Sequence, residues 1–322
     1  MKSLIPLALV QLPGFGRRTI NELFTNTMQL PLTKNELFDW LVNAKDNNLK
    51  IKIPTMNDIT NALEKANTIM DKSKKNNIGM LSMFDEDYPL SLQTIEDKPL
   101  YLFYKGNIEC IKEQNNIAII GTRNPTEHGI NAAKKFGYIF AKQKINVVSG
   151  LAIGCDTYGH EGCIKGNGKA IAVLPCGLDK IYPASNKELA QSIIKNGGCI
   201  VSEYPIGTRP FKSYFVDRDR LQSGLSKVVL IVETDIVGGT MHTAKFTCEQ
   251  GRILVAYNHP KQYTDVKQTK GNQLLIKEGK ALPISNIDDI KEIVMMIKEK
   301  KINNQKITIM ASNEQMKLDI KE

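Results

Sequence analysis

A chain of 322 residues, 42% hydrophobic and 24% charged, can bury a sizeable core, which excludes global disorder and fits one large domain with an accessory piece or two domains. Its formal net charge of +9 favours a polyanionic partner, a nucleic acid or an acidic membrane surface, although a general richness in Lys, Asn and Ile accounts for part of that excess. The cysteines Cys110, Cys155, Cys163, Cys176, Cys199 and Cys248 form no Cys-x-x-Cys pair, so they exclude a dense disulfide framework and read as reduced, mostly buried thiols.

The apolar start Met1–Val10 is soon followed by Arg17 and Arg18 and by no small-residue cleavage site, so it reads as a first core helix, not a signal peptide. No stretch reaches the roughly 18 apolar residues of a membrane span, and a cytoplasmic protein is expected. Leu4, Leu7, Leu9 and Leu12, then Ile20, Leu23 and Phe24, then Leu37, Phe38, Leu41 and Val42 recur at helical spacing, which predicts a helical N-terminal domain over 1–75. Thr33 with Glu36 three residues on gives one of those helices a capping-box start. The polar run Lys72–Asn77 reads as a linker, and Ile78–Ser82 and Leu100–Tyr104 as short β-like pieces.

From Ile117 the pattern alternates. Ile117–Ile120, Asn146–Ser149, Ala170–Leu174, Cys199–Ser202, Val228–Val232 and Leu254–Tyr257 are short apolar strands without polar alternation, as strands covered on both faces are. Helical stretches such as Ala132–Gln143, Lys187–Lys195 and Thr243–Glu249 lie between them, and Ile287–Lys300 closes the series. The fold class is therefore α/β, a Rossmann-like parallel sheet flanked by helices over 78–300, behind the helical domain and ahead of a polar tail at 301–322.

Glycine-bearing turns follow these strands, where open α/β sheets bind ligands. Gly121-Thr122-Arg123 offers close backbone approach, a hydroxyl and a planar guanidinium suited to phosphate. Ser149-Gly150-Leu151-Ala152-Ile153-Gly154-Cys155-Asp156 leads into a helix start that favours an anion, with Asp156 as its N-cap and His160, four residues on, packed or hydrogen-bonded. Lys212, Phe215, Arg218 and Arg220 combine cations with an aromatic ring, as single-strand binding needs; the bland alternative is a helix start whose Asp and Arg residues pair with each other. Gly238-Gly239-Thr240 opens a further helix, and the preceding Glu233 is either an acid/base or an anchor for a loop. At the N-terminus, Leu12-Pro13-Gly14-Phe15-Gly16-Arg17-Arg18 has the form of a hairpin turn that grips a nucleic-acid backbone, or of a turn that merely packs two helices. No Gly-x-Gly-x-x-Gly and no Walker Gly-Lys-Ser/Thr is present, which argues against dinucleotide and P-loop cofactors. Cys155, His160 and Cys163 lack the spacing and fourth ligand of a zinc site, so neither a metal nor a cofactor is expected.

Over about residues 78–285 the chain resembles the DprA/Smf DNA-processing family. The resemblance is carried by Asp87-Tyr88-Pro89, Tyr104-Lys105-Gly106-Asn107, the strand into Gly121-Thr122-Arg123, Val148 to Asp156, Ala172 to Pro183, Ser202-Glu203-Tyr204-Pro205-Ile206-Gly207, Arg220 to Ser226 and Glu249-Gln250-Gly251-Arg252. It implies an extended Rossmann-like domain that binds single-stranded DNA in a basic pocket without catalysis, protects it, and helps load a RecA-type recombinase in recombination or natural transformation, often as a homodimer. Carried over by position, the pocket comprises Gly121, Thr122, Arg123, Ser149, Gly150, Gly154, Lys212, Arg218 and Arg220, with Phe215, Gly239 and Thr240 beside them.

Three departures stand out. Asp217 replaces a cation and Asp219 an asparagine of the family's usual basic run, which weakens phosphate binding unless the acids pair locally; and the usual Ser-Gly-Ser block reads Gly238-Gly239-Thr240. The alternative is a nucleotide-binding or phosphoribohydrolase-like enzyme of the related Rossmann superfamily, with Glu233 and Gly238-Gly239-Thr240 holding a ribose phosphate. A recombinase scaffold without any ligand is a third reading.

Overall fold

The computed structural model describes residues 4–25, 30–47 and 49–299; the polar tail expected at 301–322 lies outside them. Helices α1 (Leu4–Gln11), α2 (Arg17–Thr25), α3 (Lys34–Asp46) and α4 (Met56–Lys75) form the expected helical start. Thr33 caps α3 by accepting from the Glu36 N–H at 3.2 Å, while the Glu36 carboxylate reaches back to the Leu32 N–H. Thr55 and Asp58 make a full capping box on α4. The segment read as a linker is in large part the last turn of α4, where Lys72, Lys74 and Lys75 complement the helix dipole.

The sheet begins with β1 (Gly79–Ser82), α5 (Leu90–Gln93), β2 (Tyr101–Gly106) and α6 (Glu109–Lys112). Four strand–helix units follow: β3 (Asn116–Ile120) with α7 (Glu127–Lys142), β4 (Asn146–Ser149) with α8 (Cys155–Lys165), β5 (Ala170–Val173) with α9 (Lys187–Lys195), and β6 (Cys199–Ser202) with α10 (Lys212–Gly224). The chain ends in β7 (Val228–Ile231), α11 (Gly239–Glu249), β8 (Ile253–Tyr257), α12 (Lys270–Lys277), β9 (Leu282–Ile284) and α13 (Ile287–Lys298). The nine strands form one sheet in the order β1-β2-β6-β5-β4-β3-β7-β8-β9. All pairs from β6 to β9 are parallel; β2 joins β6 and β1 joins β2 antiparallel, so the two β-like pieces extend the same sheet.

Alternation along the strands divides the core. Ile117 and Ile119 of β3, Val147 of β4 and Leu230 of β7 face a layer made by α1–α4, α7, α8, α9 and α13. Ala118, Ile120, Val148 and Ile231 face a second layer containing Leu92, Ile111, Leu221, Leu225, Ala244 and Leu275. The N-terminal helices share the first core without a break: Leu7, Ile20, Leu37, Leu41 and Ile59 belong to the same buried cluster as the central strands. Cys110, Cys155, Cys163, Cys176 and Cys199 are buried thiols and Cys248 is exposed. No helix among the described residues is long and apolar enough to cross a membrane.

From β3 the chain steps to β4, β5 and β6 on one side, then returns to place β7, β8 and β9 on the other. The strand order therefore reverses between β3 and β7, and their carboxyl ends flank a crevice where this architecture binds ligands.

Candidate nucleic-acid interface

The crevice is a cleft of about 410 Å³. The backbone N–H of Thr122 after β3 donates to the Glu233 carbonyl after β7 at 2.7 Å, which ties its two walls together. The loop after β4 supports them from behind. Gly154 has φ +89° and lies against the Thr122 carbonyl and the Arg123 backbone, a place no side chain could share, and the Cys155 N–H donates to Thr122 at 3.1 Å. A β-carbon at Gly150 would overlap the Arg218 guanidinium. Ser149 is buried and donates its hydroxyl to the Ile119 carbonyl at 2.7 Å. Ser149, Gly150 and Gly154 thus build the site without lining it.

Gly121, Thr122, Arg123, Phe215, Arg218, Gly239 and Thr240 do line the cleft. Arg123 is exposed at the rim, its guanidinium carbon 5.3 Å from the Phe215 ring centroid, and Tyr182 packs edge-on against that ring at 5.5 Å. On the β7 side of the cleft, α11 starts at Gly239 with no side-chain cap from Gly238, which leaves the N–H groups of Gly239 and Thr240, two residues of the lining, uncapped. Gly238 and Gly239 have open space where a side chain would stand. Lys212, exposed at the first turn of α10, stands outside the lining.

Two expected phosphate ligands are committed elsewhere. Arg220 is 2% exposed, donates twice to Glu203 (2.6 and 3.0 Å) and once to Asp97 (3.2 Å), and does not line the cleft. Arg17 of the hairpin turn meets the same Asp97 and Glu203 and approaches Asp217 at 3.6 Å. Asp217 also accepts from the Tyr204 hydroxyl at 3.0 Å, so the acid that replaces a cation is paired locally. For Arg220 and Asp217 the bland alternative, Asp and Arg residues satisfied inside the protein, describes the arrangement; the cause is their position on α10 within reach of Glu203 after β6 and Arg17 at the start of α2.

Arg218 is also buried, but at the cleft floor, between Asp156 at 3.8 Å and Asp219 at 3.3 Å. Burial raises the carboxyls of both acids while Arg218 opposes it, and Asp219 is pushed up to about 7. Asp156 is not the N-cap of α8: Gly154 occupies that position, and the Asp156 carboxylate accepts from the N–H groups of Gly150 (2.9 Å) and Ala152 (3.4 Å), holding the loop. His160 is fully buried, with neither ring nitrogen hydrogen-bonded among the described residues, and burial reinforced by Arg218 depresses it to about 3. Glu233 is fully buried and accepts from both the N–H and the hydroxyl of Thr126, the role of a loop anchor.

Gln222 on the floor and Val237 and His242 at the α11 wall were not among the expected site residues, and Asp219 stood out in the sequence only as a departure in charge, not as part of the floor. The helical spacing of Arg218 and Gln222 would have signalled the floor pair once α10 was read as a helix.

A family model described as DNA recombination-mediator protein A matches residues 79–295. The chain belongs to that family. It is 36% identical to the DNA processing protein DprA of Streptococcus pneumoniae over 211 residues, covering 66% of this chain and 73% of that protein. It is likewise 36% identical to protein Smf of Synechocystis over 220 residues, 67% of this chain but 54% of the relative, so it spans little more than half of that protein's length. Among solved structures, S. pneumoniae DprA superposes with a TM-score of 0.75 at 25% identity, covering 91% of this chain and 98% of that one. DprA of Helicobacter pylori, described for its single-stranded DNA binding mode, superposes at 0.61 with 29% identity over 68% and 95%. The family match spans the whole cleft, from the β3 loop to the start of α11.

Proposed function

We propose that the cleft between the β3 and β7 loops binds single-stranded DNA, with phosphates met by Arg123, by Lys212 at its approach and by the uncapped start of α11, and bases stacked on Phe215. The observation that carries this reading is the exposed Arg123 guanidinium held over the Phe215 ring in the cleft that the uncapped α11 N-terminus also lines. A cation, an aromatic face and a set of free N–H groups within one cleft are what a sequence-tolerant single-strand site requires. The H. pylori relative's single-stranded DNA binding supports it. The protein then acts without catalysis, protecting single strands and assisting a RecA-type recombinase, as a homodimer; of this wider role, the family's description as a recombination mediator supports the part in recombination.

The nucleotide-cleaving alternative needs Glu233 as acid or base, and both oxygens of that buried carboxylate are committed to Thr126. Fluorescence anisotropy with single-stranded DNA, duplex and nucleoside monophosphates at two salt concentrations tests the proposal. Single strands should bind best, and contact with about three phosphates should weaken binding roughly tenfold to twentyfold for a fourfold rise in salt. Arg123→Ala should cost on the order of tenfold regardless of sequence. No binding at low salt, or release of free base from a monophosphate, would overturn it.

A further inference from the structure

Beneath the Arg123–Phe215 rim lies a floor that phosphate chemistry does not account for. Arg218, Asp219 and Gln222 of α10 line it and are 4%, 8% and 2% exposed. The Gln222 carboxamide donates to Asp219 Oδ1 at 3.0 Å, which fixes its orientation and leaves Oε1 a buried acceptor with no hydrogen-bond partner among the described residues. Arg218 Nε stands 3.3 Å from the same Asp219 oxygen, and it too has no hydrogen-bond partner there. Acceptors and a donor therefore sit side by side at the bottom of a cleft whose rim is cationic.

A phosphate does not satisfy such a floor. Its oxygens are acceptors, as are the Asp219 carboxylate and Gln222 Oε1, and its charge is repelled by Asp219. The complementary group carries adjacent N–H donors beside a carbonyl. Among the common nucleobases guanine alone has that edge: N1–H and the 2-amino group together, flanked by O6. Thymine has a single N–H between two carbonyls. Adenine and cytosine set a ring acceptor beside their amino group, and that acceptor would face another.

We infer that the floor selects a guanine base, with N1–H and the 2-amino group donated to Asp219 and Gln222, O6 turned to the Arg218 guanidinium, and the ring stacked on Phe215. This rests on the proposed reading of the cleft as a nucleic-acid site. A guanine nucleotide free in solution presents the same base and phosphate, so the test separates the two sources.

The experiment titrates the full chain at pH 8 with labelled thymidine oligomers of about fifteen nucleotides, enough to fill one such site, carrying one central guanine, inosine, adenine or cytosine. The guanine strand should bind roughly tenfold more tightly than plain thymidine, with inosine, which lacks the 2-amino group, in between. Asp219→Asn and Gln222→Leu, each checked for folding by circular dichroism, should bring the guanine-to-thymidine ratio close to one. Arg123→Ala should weaken every strand and preserve the ratio. Equal affinity for all strands overturns the guanine inference and leaves the single-strand proposal standing. Binding of guanosine monophosphate without any strand upholds the base selection and sinks the strand reading. Failure of every probe overturns both.

Discussion

Asp219 shows how one side chain ties the site to stability. Burial lifts its carboxyl from an ordinary 3.8 to about 7, with Arg218 pulling the other way. Between those values the folded chain holds a proton that the unfolded chain has released, so this group's contribution to stability falls as pH rises from about 4 to about 7 and then levels. A tenfold change in proton affinity is worth about 1.4 kcal/mol, so Asp219→Asn should gain on the parent by on the order of 3 kcal/mol between pH 5 and pH 8. His160 and His259 slope the opposite way. Burial first, and then the Arg218 charge for His160, depress them to about 3 and about 4, so the stability they contribute is whole above their unfolded value near 6.5 and is lost as pH falls. Urea midpoints of parent and Asp219→Asn at pH 5 and pH 8 isolate the carboxyl: the difference should grow with pH, and a constant difference would refute the assignment. The sequence exposed Asp219 as an anomaly of charge, but nothing in the neighbouring residues told that it sits at the bottom of a cleft.

At the scale of elements, legibility followed hydrophobic pattern. The parallel strands were readable because each is buried on both faces and so uninterrupted by polar residues. Strand β9 escaped because it is short and holds Pro283, which only an edge position tolerates. Helix α10 reads from sequence either as a cluster of ligands or as a self-paired helix start, because its buried residues include Arg218, Asp219, Arg220 and Gln222 in place of an aliphatic stripe. Half of the site followed from loops after strands; the other half, the floor and the diversion of Arg220, depended on which way this polar helix turns its faces. The diversion is a buried ion-pair network, with Arg220 and Glu203 side chains 2% and 7% exposed. Glu203→Gln leaves Arg220 buried with a weakened partner and should destabilise the fold by about 2–4 kcal/mol, while Arg123→Ala, at the exposed rim, should change it by less than about 0.5 kcal/mol. Denaturation midpoints of both variants check this, and equal small effects would mean that the network contributes only geometry.

Across the whole molecule, the N-terminal helices and the sheet are joined in two ways. Leu7, Leu9, Ile20, Leu37 and Ile59 enter the core that contains Ile117, Phe140 and Leu230. Arg17 of α2 reaches Glu203 after β6 at 2.8 Å, and Asp97 before β2 at 2.7 Å. Removing the helices would uncover one face of the antiparallel sheet edge, where Tyr101 and Phe103 of β2 lie in the same cluster. The boundary drawn near residue 75 from a change of periodicity therefore marks where the pattern switches, while cooperativity is set by burial across it. The single tryptophan offers a direct measurement. Trp40 lies in α3 with its ring 5.3 Å from Phe24, so its fluorescence reports the N-terminal helices, whereas far-ultraviolet circular dichroism reports every helix. Both signals should melt at one temperature, as they must in a single cooperative transition. Arg17→Ala, which leaves Glu203 and Asp97 to Arg220 alone, should lower both midpoints together, by on the order of 5 °C. If Trp40 melts first and the dichroism later, the helices are an independent unit, and the shared core and the Arg17 bridge join them too weakly to couple their unfolding to that of the sheet.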